Sequence, residues 1–311
     1  MQMIDPEKYR TNQFQAIMTG GAKHGIASAE IFALTFDLMQ QNAIENYVCN
    51  VVQTLPLMST ARYMHQSAII KGKNNAWHLL VAGGKAGARS WLNTVEMLDL
   101  SPYFRPGQVK TAEDGTTTAV QSEWIQCASM GCARSNFAMV ALSNFVYVYG
   151  GISGAGEGEK AHHPQLAVEV IERFTPKADK WEPIKIATAP KLAAFSWTRL
   201  NTRPGHEDEA KIAILGGTDG DIATEEFMIV DFSAETAMKK QTNFEFNTCM
   251  GTMLFHEETS MLYHIGGMGS QGVDYKMKLG ETEWTQLDKN HSVVLNASGL
   301  ELMNNSAIYF D

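Results

Sequence analysis

The chain has 311 residues, of which 44% are hydrophobic and 19% are charged, and its formal net charge is −9 at pH 7. This composition is ordinary for one large domain, and the acidic balance argues against nucleic acid, which requires basic surfaces. No apolar run approaches the ~18 residues of a membrane-spanning helix, so we expect no membrane insertion. The four cysteines lack zinc-site spacing and predict free thiols in a reducing compartment.

Five Gly-Gly pairs divide the chain into modules, and each pair closes a short apolar run. They recur at steps of 63, 67, 66 and 50 residues, and a period in this range is typical of a repeat architecture. Apolar runs predict strands, and paired glycines let the chain leave a strand with positive φ. The pairs are Gly20-Gly21, Gly83-Gly84, Gly150-Gly151, Gly216-Gly217 and Gly266-Gly267.

Each module predicts four strands, and the apolar run before Gly-Gly is the second of them. Third strands are predicted at 29–36, 93–100, 168–174, 224–232 and 273–279. An aromatic residue then marks the fourth strand, where a ring can stack between neighbouring blades. These aromatics are Tyr47, Trp124, Trp181, Phe244 and Trp284. The first strands of the following modules are predicted at 63–70, 135–142, 193–200, 249–256 and 296–303.

The modules resemble the Kelch-repeat β-propeller family, and residues 129–184 match it best. Arg134 precedes the first strand there, Gly-Gly follows the second, and Trp181 lies in the fourth. Arg62 is placed similarly in the preceding module, and Lys191 occupies the comparable place in the next. The resemblance covers nearly the whole chain. It implies an all-β, Kelch-type β-propeller of four-stranded antiparallel blades, forming a single domain over 1–311.

The number of blades depends on how the two ends of the chain are used. Residues 1–12 can supply one short strand, and SAIYFD at 306–311 is similar to a second strand that stops where Gly-Gly is expected. We expect five Gly-Gly modules and a sixth blade assembled from both termini, since a propeller must close its edge. The alternative is a five-bladed ring in which the C-terminal strand closes blade one.

Two inserts are the first candidates for special chemistry, but neither carries a convincing motif. The loop 152–167 contains the four polar residues Glu157, Glu159, His162 and His163, and imidazole with carboxylate is plausible metal chemistry. Adjacent histidines on a flexible loop rarely converge on one ion, so we favour a solvated loop. The insert 101–122 predicts a mobile excursion before Trp124. No nucleophile elbow, phosphate loop or zinc motif occurs, so we predict no catalytic, cofactor-binding or metal-binding residue and no cofactor.

The resemblance implies a non-enzymatic scaffold or adaptor that binds one or more proteins, in the cytoplasm or with the cytoskeleton or a larger assembly. The alternative is a propeller enzyme acting on a sugar or small molecule at the central axis, mutarotase-like or metal-dependent lyase-like. In Kelch-like adaptors, the contacts follow Gly-Gly or open the first strand. Those positions here are Ala22, Lys23, Met64, Lys85, Asn136, Ile152, Ser153, Thr218, Asp219 and Met268.

Overall fold

A computed structural model gives the fold and describes most of the chain. The described residues are 2–3, 16–41, 44–72, 76–104, 109–111, 117–119, 122–142, 144–154, 166–200, 210–269 and 273–287. They form five four-stranded antiparallel sheets, each of which is one blade of a β-propeller. None of the helices in these ranges is long and apolar enough to cross a bilayer.

The strands of each blade follow one another in chain order, from the inner strand to the outer strand. Blade one contains Gln2–Met3, Ala16–Thr19, Ile31–Gln41 and Ile44–Leu55. Blade two contains Gln66–Lys71, Trp77–Ala82, Val95–Asp99 and Trp124–Cys127. Blade three contains Ala138–Ala141, Val146–Tyr149, Ile171–Thr175 and Lys180–Ile184.

Blades four and five have the same plan. Blade four contains Ser196–Leu200, Lys211–Leu215, Phe227–Asp231 and Thr236–Lys240. Blade five contains Thr252–His256, Met261–Ile265, Tyr275–Lys278 and Thr285–Gln286. Smaller elements are the helix Ser101–Phe104 and the two-stranded pairs Ala22–Lys23 with Ile26–Ala27, Lys85–Gly87 with Ser90–Trp91, Val109–Thr111 with Thr117–Ala119, and Ile152–Ser153 with Leu166–Ala167.

The second strands are mostly apolar, and those of blades two, three and four are covered on both faces by neighbouring blades. In blade two, Leu79 and Val81 point into the core shared with blade one, whereas Leu80 and Ala82 point into the core shared with blade three. Successive side chains of a strand point to opposite faces, so an uninterrupted apolar run is required here. Further cores of the same kind lie between blades three and four and between blades four and five.

The described residues form five blades, as the five-bladed alternative predicted. The N-terminal strand Gln2–Met3 pairs with Ala16 and Ile17, so it is the inner strand of blade one and does not start a sixth blade. The expected first strand at 296–303 and the expected C-terminal strand at 306–311 lie outside the described residues. The four cysteines are free thiols, as predicted.

The predicted aromatic register holds in only part of the ring. Trp124 and Trp181 stand opposite Leu98 and Phe174 in their blades, as the repeat predicted. Their indole N–H groups donate to the carbonyl oxygens of Pro56 at 2.9 Å and Ala128 at 2.8 Å, which ties each fourth strand to the preceding linker.

Three of the five aromatics do not share this register. The fourth strand of blade four ends at Lys240, so the prediction for Phe244 was wrong; its ring fills the core between blades four and five. Tyr47 stands opposite Leu38, beyond the part of the third strand that pairs with Ala16–Thr19. Trp284 immediately precedes the fourth strand of blade five.

Buried ion pairs hold the first two linkers in place. Arg62 pairs with Glu96 and Arg134 with Glu172, each at 2.7 Å, and all four side chains are buried. The comparable place before blade four belongs to Leu192, whose carbonyl accepts the Gly151 N–H just as the Arg134 carbonyl accepts that of Gly84. The assignment of Lys191 to this place was therefore wrong by one residue. Its side chain is exposed and pairs with Glu169 at 2.7 Å.

Candidate functional site

The Gly-Gly pairs all lie at one end of the propeller, which we call the Gly-Gly face. Gly83 has φ +64°, and a Cβ there would stand 2.7 Å from the carbonyl oxygen of Arg134. The next glycine, Gly84, donates its N–H to the same oxygen at 2.8 Å. Only glycine permits this approach, which joins the second strands of blades one to four to the linker that enters the following blade.

A row of four residues follows the centre of this face, and we call it the central row. Met64, Asn136, Ala194 and Met250 each lie two residues before an inner strand, and all four have positive φ, between 53° and 60°. The N–H of Asn136 donates to the Met64 carbonyl at 3.1 Å, that of Ala194 to Asn136 at 3.0 Å, and that of Met250 to Ala194 at 2.6 Å. These bonds cross from blade to blade, so they hold a left-handed conformation that is otherwise unfavourable for Met and Ala.

The residues that follow four of the five Gly-Gly pairs are held beside the central row by backbone pairing. Antiparallel bridges join Lys85 to Tyr63, Ile152 to Ser135, Thr218 to Ala193, and Met268 to Cys249. Each bridge partner is the residue just before a member of the central row. The structure thus brings the two predicted sets of positions, those after Gly-Gly and those at the strand starts, onto one continuous surface.

Loops between the second and third strands surround this centre and contact one another. The short hairpins of blades one and two lie together. A Cβ on Gly154 of blade three would collide with the Trp91 ring of blade two. The Ala167 N–H of blade three donates to the Asp219 carbonyl of blade four at 3.3 Å. The four loops therefore form a connected collar, which is the kind of rigid support that recognition loops need.

The ten predicted contact residues differ in how far they reach solvent. Lys85 is only 9% exposed, and its Nζ lies 4.3 Å from the centre of the Trp91 ring. Burial lowers the pKa of Lys85. Asn136 and Ile152 are also buried, whereas Met64, Ser153 and Thr218 are half-buried. The exposed members are Ala22, Lys23, Asp219 and Met268. The role of the set in protein binding stays a prediction.

Three large apolar side chains project from the loops of this face. Ile26 in blade one is 74% exposed, Ile222 in blade four is 69% exposed, and Met268 in blade five is 58% exposed. Sequence reasoning identified only Met268. Ile26 and Ile222 could have been identified from their position five to six residues after a Gly-Gly pair, in loops short enough to form tight turns.

Buried polar groups collect beneath the central row between blades four and five. Gly251 stands where blades three and four have Phe137 and Phe195 after the central row, and the His264 ring approaches it instead. The hydroxyl of Ser196 and both ring nitrogens of His264 have no hydrogen-bond partner within the described part of the chain. Burial lowers the pKa of His264 to about 4, so its ring is neutral at pH 7.

The two inserts take different places. Residues 155–165 of the loop 152–167, including Glu157, Glu159, His162 and His163, lie outside the described residues. Within the ranges that are described, no three His, Cys, Asp or Glu side chains gather as a metal site would need. The insert 101–122 leaves blade two at the opposite face. Its helix buries Tyr103 and Phe104 in the core between blades one and two, and the Tyr103 hydroxyl accepts the Ser122 N–H at 3.2 Å.

Comparison with known proteins supports the fold and leaves the family open. No protein-family model matches this chain, and no curated protein matches its sequence. Among solved structures, it is similar to the structure of YjhT, with a TM-score of 0.53 and 14% identity, covering 75% of this chain and 67% of that one. At this identity the likeness shows the fold alone. The β-propeller is therefore established, and membership of the Kelch family stays a prediction.

Proposed function

We propose that this chain is a non-enzymatic protein-interaction module that binds another protein on its Gly-Gly face. The observation that carries the proposal is the exposure of Ile26, Ile222 and Met268 on loops of that one face. Large apolar side chains that share a surface favour association, since a partner removes them from water. The collar and the central row hold the loops, so little ordering entropy is lost on binding.

The central row favours binding over the enzyme alternative. A propeller enzyme acting at the axis would need carboxylates and imidazoles converging there. Met64, Asn136, Ala194 and Met250, which surround the axis at this face, are all uncharged. We therefore place a scaffold or adaptor role first. We also propose a cytoplasmic or cytoskeleton-associated location, which rests on the free thiols and the family resemblance.

A matched pair of double variants tests the proposal. Ile222→Ser with Met268→Ser removes two apolar side chains from the Gly-Gly face. Ile125→Ser with Met238→Ser makes the same chemical change on outer strands, where the side chains are 53% and 55% exposed. Affinity purification with quantitative mass spectrometry should show partners of the wild type lost from the first variant and kept by the second, at matched melting temperatures. Equal capture by both variants would refute the assignment of this face.

A further inference from the structure

Two exposed cations stand on the neighbouring loops of blades one and two. Lys23 lies in the hairpin that follows Gly20-Gly21, and Arg89 lies at the turn of the hairpin that follows Gly83-Gly84. The two hairpins are in contact, so both cations belong to one surface. No carboxylate of the described residues forms an ion pair with either. The nearby Glu30 accepts a hydrogen bond from the Ser28 hydroxyl at 3.2 Å.

Two exposed carboxylates stand on the loop of blade four. Asp221 and Glu225 are exposed, and neither forms an ion pair within the described ranges. Their neighbours are already engaged. Asp219 accepts the N–H groups of Asp221 and Ile222 at 2.9 Å, so its carboxylate shapes the turn. Glu226 pairs with Lys239. The loop therefore presents two carboxylates that a partner can neutralise.

Among the described residues, the central row lies between these cations and carboxylates and is uncharged, and the neighbouring Lys85 is buried over the Trp91 ring. Blades follow one another around the axis in chain order, so the loops of blades one and two face the loop of blade four across the central row. Between blades three and four, Lys191 and Glu169 neutralise each other at 2.7 Å. The apolar side chains of Ile222 and Met268 lie on the side of blades four and five.

We propose that the Gly-Gly face binds an extended peptide segment with opposite charge at its two ends. The segment is acidic where it crosses Lys23 and Arg89, uncharged where it crosses the central row, and basic where it crosses Asp221 and Glu225. Complementary charge at separated poles fixes the direction in which a segment lies and disfavours the reverse direction. This inference rests on the proposed function, because it names the kind of partner that the same face would take.

Selection of random linear peptides displayed on phage tests the charge pattern directly. Wild-type protein should enrich peptides with acidic residues at one end, uncharged residues in the middle and basic residues at the other end. Asp221→Lys with Glu225→Lys should remove the preference for the basic end only. Lys23→Glu with Arg89→Glu should remove the preference for the acidic end only. A selected peptide should bind each charge variant on the order of tenfold more weakly, and added salt should weaken its binding to the wild type.

Matched charge controls exclude a general effect of net charge. Glu258→Lys with Glu281→Lys, and Lys177→Glu with Lys278→Glu, make the same charge changes at exposed positions on or next to the turns of the opposite face. Both should select the wild-type pattern. Melting temperatures should agree throughout, since every substituted side chain is exposed.

The apolar variant Ile222→Ser with Met268→Ser separates this inference from the proposed function. If it loses peptide binding while the charge variants on the face keep the wild-type pattern, the face binds proteins and the charge inference is wrong. If the apolar variant also binds normally, both proposals are wrong. A wild-type selection that enriches no peptide would overturn the assignment of a linear segment as the ligand.

Discussion

Replacing Arg134 with leucine should destabilise the protein by roughly 3–5 kcal/mol, because the Glu172 carboxylate would stay buried without its cation. Glu172 is 3% exposed, and its Oε2 lies 2.7 Å from the guanidinium. Its other oxygen accepts the Gly131 N–H at 2.6 Å. The guanidinium also donates to the carbonyl oxygens of Gly150 at 3.0 Å and Val170 at 2.9 Å, which would lose this donor.

Blade four has two uncharged residues at the positions that this ion pair occupies in blade three. In blade four, Leu192 stands in the place of Arg134, and Met228 stands opposite Ile214 as Glu172 stands opposite Val148. Leu192 and Met228 pack in the same core. The double variant Arg134→Leu with Glu172→Met copies that arrangement into blade three. The double variant leaves no unpaired charge in the core. It should be destabilised by about 1–3 kcal/mol, because backbone carbonyl and N–H groups lose a hydrogen-bond partner.

Urea unfolding followed by tryptophan fluorescence and circular dichroism measures both variants. The double variant should be more stable than Arg134→Leu by roughly 2 kcal/mol, with an unchanged m value. Glu172→Met alone leaves the Arg134 guanidinium buried without its carboxylate, so it should destabilise the protein about as much as Arg134→Leu does. The reasoning fails if the double variant is as unstable as either single variant, since burial of an unpaired charge would then not be the main cost.

Two further predictions concern packing and protonation. Trp181→Ala should lower the free energy of unfolding in urea by about 3 kcal/mol, because the Trp181 ring stacks on Phe174 with ring centres 4.9 Å apart. Trp181→Phe keeps a stacked ring and loses only the hydrogen bond to the Ala128 carbonyl, so it should lower the free energy of unfolding by about 1 kcal/mol. A cost under about 1 kcal/mol for the alanine variant would show that Trp181 does not stabilise the blade. Burial lowers the pKa of His264 to about 4, below its ordinary 6.5, so stability is greatest above pH 6.5 and should fall by roughly 3 kcal/mol as the pH decreases to 4. The melting temperature of His264→Ile should decrease less than that of the wild type over the same pH range. Some decrease should remain, because burial also lowers the pKa of His65, to about 3. Identical pH profiles for the two proteins would show that His264 does not cause the loss of stability.

Most of the blade plan could be read from the sequence because it depends on local rules. A strand covered on both faces must be apolar throughout, and a chain leaving it beside another backbone needs glycine, so LLVAGG and VYVYGG predict second strands without a structure. The positions after Gly-Gly and at the strand starts could also be predicted, because they recur at a fixed place in each repeat. Ala194 and Met250 could have been added to Met64 and Asn136 by the same alignment.

The exposure of individual site residues could not be predicted, because it depends on neighbouring loops. Lys85 and Lys23 both follow a Gly-Gly pair closely. Lys85 lies over Trp91 and is buried, whereas Lys23 is exposed. Trp91 comes from the same hairpin as Lys85, but Tyr63 and the hairpin of blade one also lie against Lys85–Gly87, and the sequence of the loop does not specify those contacts. For the same reason, Phe244 was expected in a strand and instead fills the core between two blades.

The sequence by itself determined an all-β repeat, the positions of the second strands, and the glycine turns that gather loops at one end. Local backbone preference and side-chain alternation are sufficient for these features. The tertiary structure decided the use of Gln2–Met3 as the inner strand of blade one, the hydrogen bonds of the central row, and the separation of Lys23 and Arg89 from Asp221 and Glu225 across that row. These features depend on contacts between residues far apart in the chain, which no local pattern specifies.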